Sequence, residues 1–208
     1  MIRTGDLRLS PLRCPPDGST DQQQDGSIMR TLLSTDEFER LPVPEQGGGY
    51  ELDEGEPVYV SPNSLEQGEI IHRIYALLKA WAKSNDRGLV APDSWIELAP
   101  GVVRAPDVAY IHRDRVINLD PKHALKAVPA LVVEVLSPYS TAREMSRKIQ
   151  QYRDAGVGLI WVVDPEKGEV DIYSSLPLRT LRQGDTLSDD KILPGFSLPL
   201  SLVFEPVR

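Results

Sequence analysis

The sequence predicts an α/β domain in which a mixed sheet is flanked by helices. Two apolar runs of strand length, ALVVEVLS at 130–137 and GLIWVVDP at 158–165, bracket a segment of helical periodicity. That is the pattern of a crossover unit whose two strands are parallel and central. Ile70, Ile71, Ile74, Leu77, Leu78 and Trp81 recur at the spacing of a long amphipathic helix. The overall order is helix, hairpin, long helix, several strands, helix and strands, which suits one sheet covered by helices.

Residues 1–30, with CPPDGSTDQQQDGS, are rich in Pro, Gly, Ser, Asp and Gln and lack an apolar period, so a flexible extension is expected before a domain at 31–208. Ser34 and Glu37 have capping-box spacing before Phe38 and Leu41, and Pro42 stops the turn. EQGGG reads as a loop, and YELDEGEPVYVSP as two short strands joined by a tight turn at Asp53 to Gly55. Ser64 and Gln67 form a second capping box at the start of the long helix, which ends near Asn85 to Gly88. Two strands are then expected, LVAPDSWIELA and VVRAPDVAYI, divided by the Pro100–Gly101 turn. DPKHALKAV reads as a loop or short helix. Thr141 and Glu144 make a third capping box, Met145, Ile149 and Tyr152 supply an apolar stripe, and Gly156 stands where a helix-ending glycine belongs. From Pro177 onward, apolar and turn residues alternate, as expected of edge strands and closing loops.

No apolar run approaches the roughly 18 residues of a membrane span, and MIRTGDLRLSPLRCPPDGST has no secretory h-region, so a cytoplasmic protein without a membrane partner is expected. Cys14 stands alone, which excludes an internal disulfide and a cysteine-based zinc site. The net charge of −8 argues against broad phosphate binding. The acids concentrate at the front, however: residues 1–60 hold 12 Asp and Glu against 5 Arg, so the rest of the chain is near neutral. That balance neither supports nor excludes a nucleic-acid substrate.

Two acids occupy costly positions. Glu134 lies among Leu131, Val132, Val133, Val135 and Leu136, and Asp107 is followed by Val108, Ala109, Tyr110 and Ile111. A carboxylate in such a run loses hydration unless it is paired, metal-bound or neutralised. On neighbouring strands the two can share one divalent cation, and all-oxygen ligands of this kind suit Mg²⁺ or Mn²⁺. Lys148, two turns into the following helix, can reach such a site and orient water or stabilise charge on phosphate.

Each residue also has a plainer reading. Glu134 can be a structural ion pair, Asp107 an acceptor of backbone hydrogen bonds after Pro106, and Lys148 an i, i+4 partner of Glu144. Tyr152 reads first as a core residue donating its hydroxyl to a neighbour, and it also lies one turn beyond Lys148, where it can line the site. His72, His112 and His123 fit no metal-ligand spacing, Ser137 and Ser140 lack a GxSxG context, and EQGGG lacks the Lys of a P-loop.

The Pro-Asp pair on one strand, followed by a strand with glutamate in an apolar run, resembles the PD-(D/E)XK nuclease superfamily. The order YELDEGEPV, SPNS, APDVAYI, LVVEVLSPYST, then Lys148, Tyr152 and AGVGLIWVVDP is similar to its Uma-type restriction endonuclease group, over about residues 31–200. The resemblance implies a restriction-endonuclease-like fold, Mg²⁺ (or Mn²⁺) held by Asp107 and Glu134, hydrolysis of DNA phosphodiesters assisted by Lys148, and a homodimer for cutting both strands. The superfamily's usual lysine position, two residues after the acid, is Leu136 here, and Lys148 fits a lysine moved to the helix. A histidine common near the start of the long helix is replaced by Gln67. Glu69 is a further candidate, by likeness to the first-helix acid of some members. The rival expectation is a catalytically silent binding or assembly module on the same fold. It is separated from the nuclease by whether Asp107, Glu134 and Lys148 converge.

Overall fold

Twelve strands and four α-helices form two main sheets and a separate hairpin in the computed structural model, which describes residues 32–84, 86–116 and 119–207. The expected extension at 1–30 lies outside the described residues. Among the described residues, no helix is long and apolar enough to cross a membrane.

The three capping boxes form as expected. Ser34 caps α1 (Thr35–Phe38) with Glu37, Ser64 and Gln67 cap α2 (Leu65–Ser84), and Thr141 caps α3 (Ala142–Asp154) with Glu144. At the other end of α3, the Gly156 N–H donates to the Arg153 carbonyl and the Val157 N–H to the Tyr152 carbonyl, each at 2.9 Å. Gly156 has φ +92, the left-handed backbone that this helix ending requires. β1 (Gly49–Asp53) and β2 (Glu56–Val60) form the expected hairpin. Its two-residue turn uses positive φ at both Glu54 and Gly55, matching the twist of the strands.

The six-stranded sheet has the order β10-β9-β8-β7-β6-β3. Its centre is β7 (Leu131–Val135) and β8 (Leu159–Asp164), parallel and joined through α3 as the apolar runs predicted. β6 (Val108–His112) lies antiparallel beside β7, and β9 (Glu169–Tyr173) lies antiparallel beside β8.

LVAPDSWIELA and VVRAPDVAYI do not form two strands but four. Each segment crosses from one sheet to the other. β3 (Gly88–Pro92) and β6 belong to the six-stranded sheet, while β4 (Ile96–Ala99) and β5 (Val102–Arg104) belong to a four-stranded sheet of order β2-β1-β5-β4. The breaks fall at Pro92-Asp93 and Ala105-Pro106, where proline removes a ladder donor and Asp93 takes φ +39. Asp107 stands at that corner.

The tail also differs from expectation. β10 (Arg179–Leu181) is the expected edge strand. β11 (Thr186–Asp189) and β12 (Leu193–Pro199) form their own hairpin, followed by α4 (Leu200–Val203), and Leu187, Leu193 and Leu198 are fully buried. They cover the central sheet together with α2. Leu131, Val133, Val135, Trp161 and Val163 pack there against Ile70, Ile74, Leu78 and Phe196. The alternate residues Val132, Ile160 and Val162 point to the opposite face and pack against Ile149 and Tyr152 of α3.

Candidate active site

Antiparallel pairing sets Val108 opposite Val133, so one step further Asp107 lies opposite Glu134 and on the same face. That face is the one covered by α3, since Glu134 is two residues from Val132. Both acids are buried, Asp107 at 9% and Glu134 at 5% exposure. Asp107 Oδ2 accepts the Val135 N–H at 2.6 Å, and Glu134 Oε1 accepts the Tyr152 hydroxyl at 2.5 Å. No hydrogen bond to Asp107 Oδ1 is formed among the described residues.

Lys148 projects from α3 into the same place. Its Nζ donates to Glu51 Oε1 at 2.9 Å and lies 3.4 Å from both oxygens of Glu134. It does not form the i, i+4 pair with Glu144, whose carboxylate is taken by the Thr141 cap. Asp107, Glu134, Lys148 and Tyr152 are therefore brought together. Glu69 is not: it pairs with Arg73 one turn along α2 at 3.5 Å, and Arg73 in turn donates to the Val203 and Glu205 carbonyls near the end of the chain.

The electrostatics follow from burial. Burial first, then the Glu134 charge, pushes the Asp107 carboxyl up to about 8, and the Val135 N–H only partly offsets this. Glu134 is also pushed up, chiefly by burial; Lys148 pulls against it, but its charge is shared with Glu51. Burial opposes the Lys148 ammonium, yet the Glu134 and Glu51 charges outweigh it, so Lys148 holds its proton more tightly than a free lysine. Burial and the Glu134 charge likewise raise the Tyr152 hydroxyl. Three buried acids, Glu51, Asp107 and Glu134, thus face two cations, Arg104 and Lys148. Fully ionised, the cluster is short of positive charge, and below about pH 8 the proton that Asp107 holds makes up the difference.

That deficit is the test of a metal. Among the described residues, no three His, Cys, Asp or Glu side chains form a preformed cage. Mg²⁺ and Mn²⁺ need none, since one or two carboxylates complemented by waters and substrate phosphate suffice. Asp107 and Glu134 fit such an ion.

Sequence reasoning missed Glu51, Arg104 and Gln151. The pairing of Leu52 with Val103 sets Glu51 opposite Arg104 across β1 and β5. Arg104 donates to Glu51 Oε2 at 2.9 Å, to Asp53 at 3.1 Å and to Gln151 of α3 at 2.8 Å. The available signal was Glu51 and Arg104 themselves, each a charge beside apolar strand residues. Gln67 donates to the Val135 carbonyl at 3.4 Å and so touches the end of the strand that bears Glu134.

The fold and this placement of two acids and a lysine define a restriction-endonuclease-like α/β domain. A solved structure described as "a putative nuclease belonging to DUF820 from Anabaena variabilis" is similar, with a TM-score of 0.71 and 16% identity, covering 83% of this chain and 97% of that one. The family described as Uma2, "Putative restriction endonuclease", matches residues 35–201, and the chain belongs to that family. No curated protein matches the chain.

Proposed function

We propose that the protein is a metal-dependent nuclease that hydrolyses phosphodiester bonds of DNA, with Asp107 and Glu134 as ligands of Mg²⁺ or Mn²⁺. The observation that carries this is the convergence of Asp107, Glu134 and Lys148 on one face at the corner between the sheets. When bound, the metal would neutralise the two carboxylates, take a phosphate oxygen and polarise the attacking water. Tyr152 holds Glu134 by Oε1 and the Val135 N–H holds Asp107 by Oδ2, which leaves Asp107 Oδ1 for a ligand, while Glu134 Oε2 lies 3.4 Å from Lys148 Nζ. Lys148 holds its proton tightly and therefore serves as a fixed positive charge facing the developing phosphorane-like negative charge, not as the base. Cleavage of both strands of a duplex requires two such sites, which supports a homodimer as the working form.

One observation favours a second reading, a silent scaffold that binds or assembles. Lys148 and Arg104 already tie the acids into an internal ion-pair network that joins α3 to both sheets. Calorimetric titration of Mn²⁺ and Mg²⁺ into the wild type and Glu134→Gln, with plasmid cleavage on the same samples, separates the two. Binding and nicking that vanish together in the variant support the nuclease. A wild type that neither binds the ions nor nicks DNA is the scaffold.

A further inference from the structure

Lys148 is shared unequally between its two carboxylates: Nζ stands 2.9 Å from Glu51 but 3.4 Å from each oxygen of Glu134. An ammonium facing a single buried carboxylate closes to about 2.8 Å. Nζ bridges both oxygens of Glu134 at the longer distance, while Glu51 takes the shorter bond. Glu51 is 1% exposed, and besides Lys148 its carboxylate accepts the Ala105 N–H at 3.0 Å and Arg104 Nη1 at 2.9 Å. Arg104 is itself fixed by Asp53 and Gln151, so Glu51 is an immobile acceptor reaching in from the four-stranded sheet. Lys148, by contrast, rides on a flexible four-carbon stem that moves toward whichever carboxylate attracts it.

We infer that Glu51 is a positioning residue that keeps Lys148 from closing onto Glu134, leaving that carboxylate available to a divalent cation. The inference rests on the reading of Asp107 and Glu134 as metal ligands. Without the Glu51 charge, Lys148 becomes a competitor for the metal's own ligand. The same carboxylate anchors Ala105, two residues before Asp107, so one side chain sets both the lysine and the strand that carries the second acid.

The test is calorimetric titration of Mn²⁺ into the full chain in four forms: wild type, Glu51→Gln, Lys148→Met and the double variant. Glutamine keeps the length and an acceptor oxygen for Ala105 while removing the charge. The expected result is an affinity about tenfold weaker in Glu51→Gln, and a gain from Lys148→Met that is about tenfold larger in the Glu51→Gln background than in the wild type. Loss of charge alone would make the two substitutions add. Equal gains in both backgrounds, or a wild-type affinity in Glu51→Gln, overturn the positioning role.

Where Glu51→Gln does not fold, Glu51→Asp, which keeps the charge but withdraws it by one methylene, is titrated in the same cycle. It is expected to weaken binding in the same way, and a wild-type affinity overturns the role. Failure of the underlying reading has a different signature: wild type takes up no Mn²⁺, or Glu134→Gln binds as tightly as wild type, and the inference falls with it. If Glu134→Gln abolishes binding while the Glu51 cycle is additive, the metal site stands and only the role of Glu51 is lost.

Discussion

The two faces of the central sheet are made by alternate residues of the same strands and do opposite things. Toward α2, Leu131, Val133, Leu159, Trp161 and Val163 meet Ile74, Leu78 and Phe196, and Trp161 stacks on Phe196 with ring centroids 6.2 Å apart. Toward α3, the row that holds Val132 also holds Glu134, with Asp107 beside it and Lys148 above. One face gains free energy from burying apolar area. The other spends some on burying charge, as the carboxyl of Asp107, lifted to about 8, shows. Apolar packing and the buried charges are thereby separated by one residue of strand register.

Substitutions on the two faces sharpen the contrast. The largest effect is expected on the charged face, where Asp107→Asn or Glu134→Gln lowers metal-dependent cleavage by about 100-fold or more, read by plasmid nicking. Asp107→Asn also raises the melting temperature of the metal-free protein at pH 8, because asparagine still accepts the Val135 N–H without carrying the charge. A drop in melting temperature would mean that the charge itself supports the fold.

On the apolar face, Trp161→Ala lowers stability by about 3 to 5 kcal/mol in urea titration. An effect below about 1 kcal/mol would show that this face is not the source of stability.

Next comes pH. Asp107 releases its proton at about 8 when folded but near 4 in an unfolded chain, so between those values the folded protein holds more protons. Stability of the metal-free protein therefore falls as pH rises from about 4 to about 8. The raised carboxyl of Glu134 acts in the same sense. Added Mn²⁺ is expected to reverse the fall, and Asp107→Asn to flatten it, both read as melting temperature across that range.

The smallest effects lie away from both faces. Thr141→Ala removes a cap and costs about 1 kcal/mol. Glu69→Gln breaks only its pair with the half-buried Arg73, and stability within about 0.5 kcal/mol of wild type with unchanged cleavage is expected. Loss of cleavage in Glu69→Gln would restore that acid to the site.

What could be read before folding followed the range of the interactions involved. The capping boxes at Ser34, Ser64 and Thr141 need only residues three apart, and all three form. The parallel pair β7 and β8 follows from two apolar runs and an intervening helix. The expected strands LVAPDSWIELA and VVRAPDVAYI failed because proline and aspartate at 92–93 and 106–107 divide each between two sheets, and alternation within a run does not show which sheet a half joins. In the tail, apolar residues alternate with turn residues, a pattern that predicts edge strands. That pattern also suits a hairpin lying over a core, and Leu187, Leu193 and Leu198 serve there.

The sequence by itself determined the crossover unit, the helix caps and the two acids whose burial needs a partner. These rest on local periodicity and on the cost of dehydrating a carboxylate, which neighbouring residues already imply. Only the tertiary structure decided that Lys148 turns to Glu51, 97 residues away, and that Arg104 stands across from Glu51. Strand pairing between distant segments sets those contacts, and a register becomes definite only once both faces of the sheets are packed.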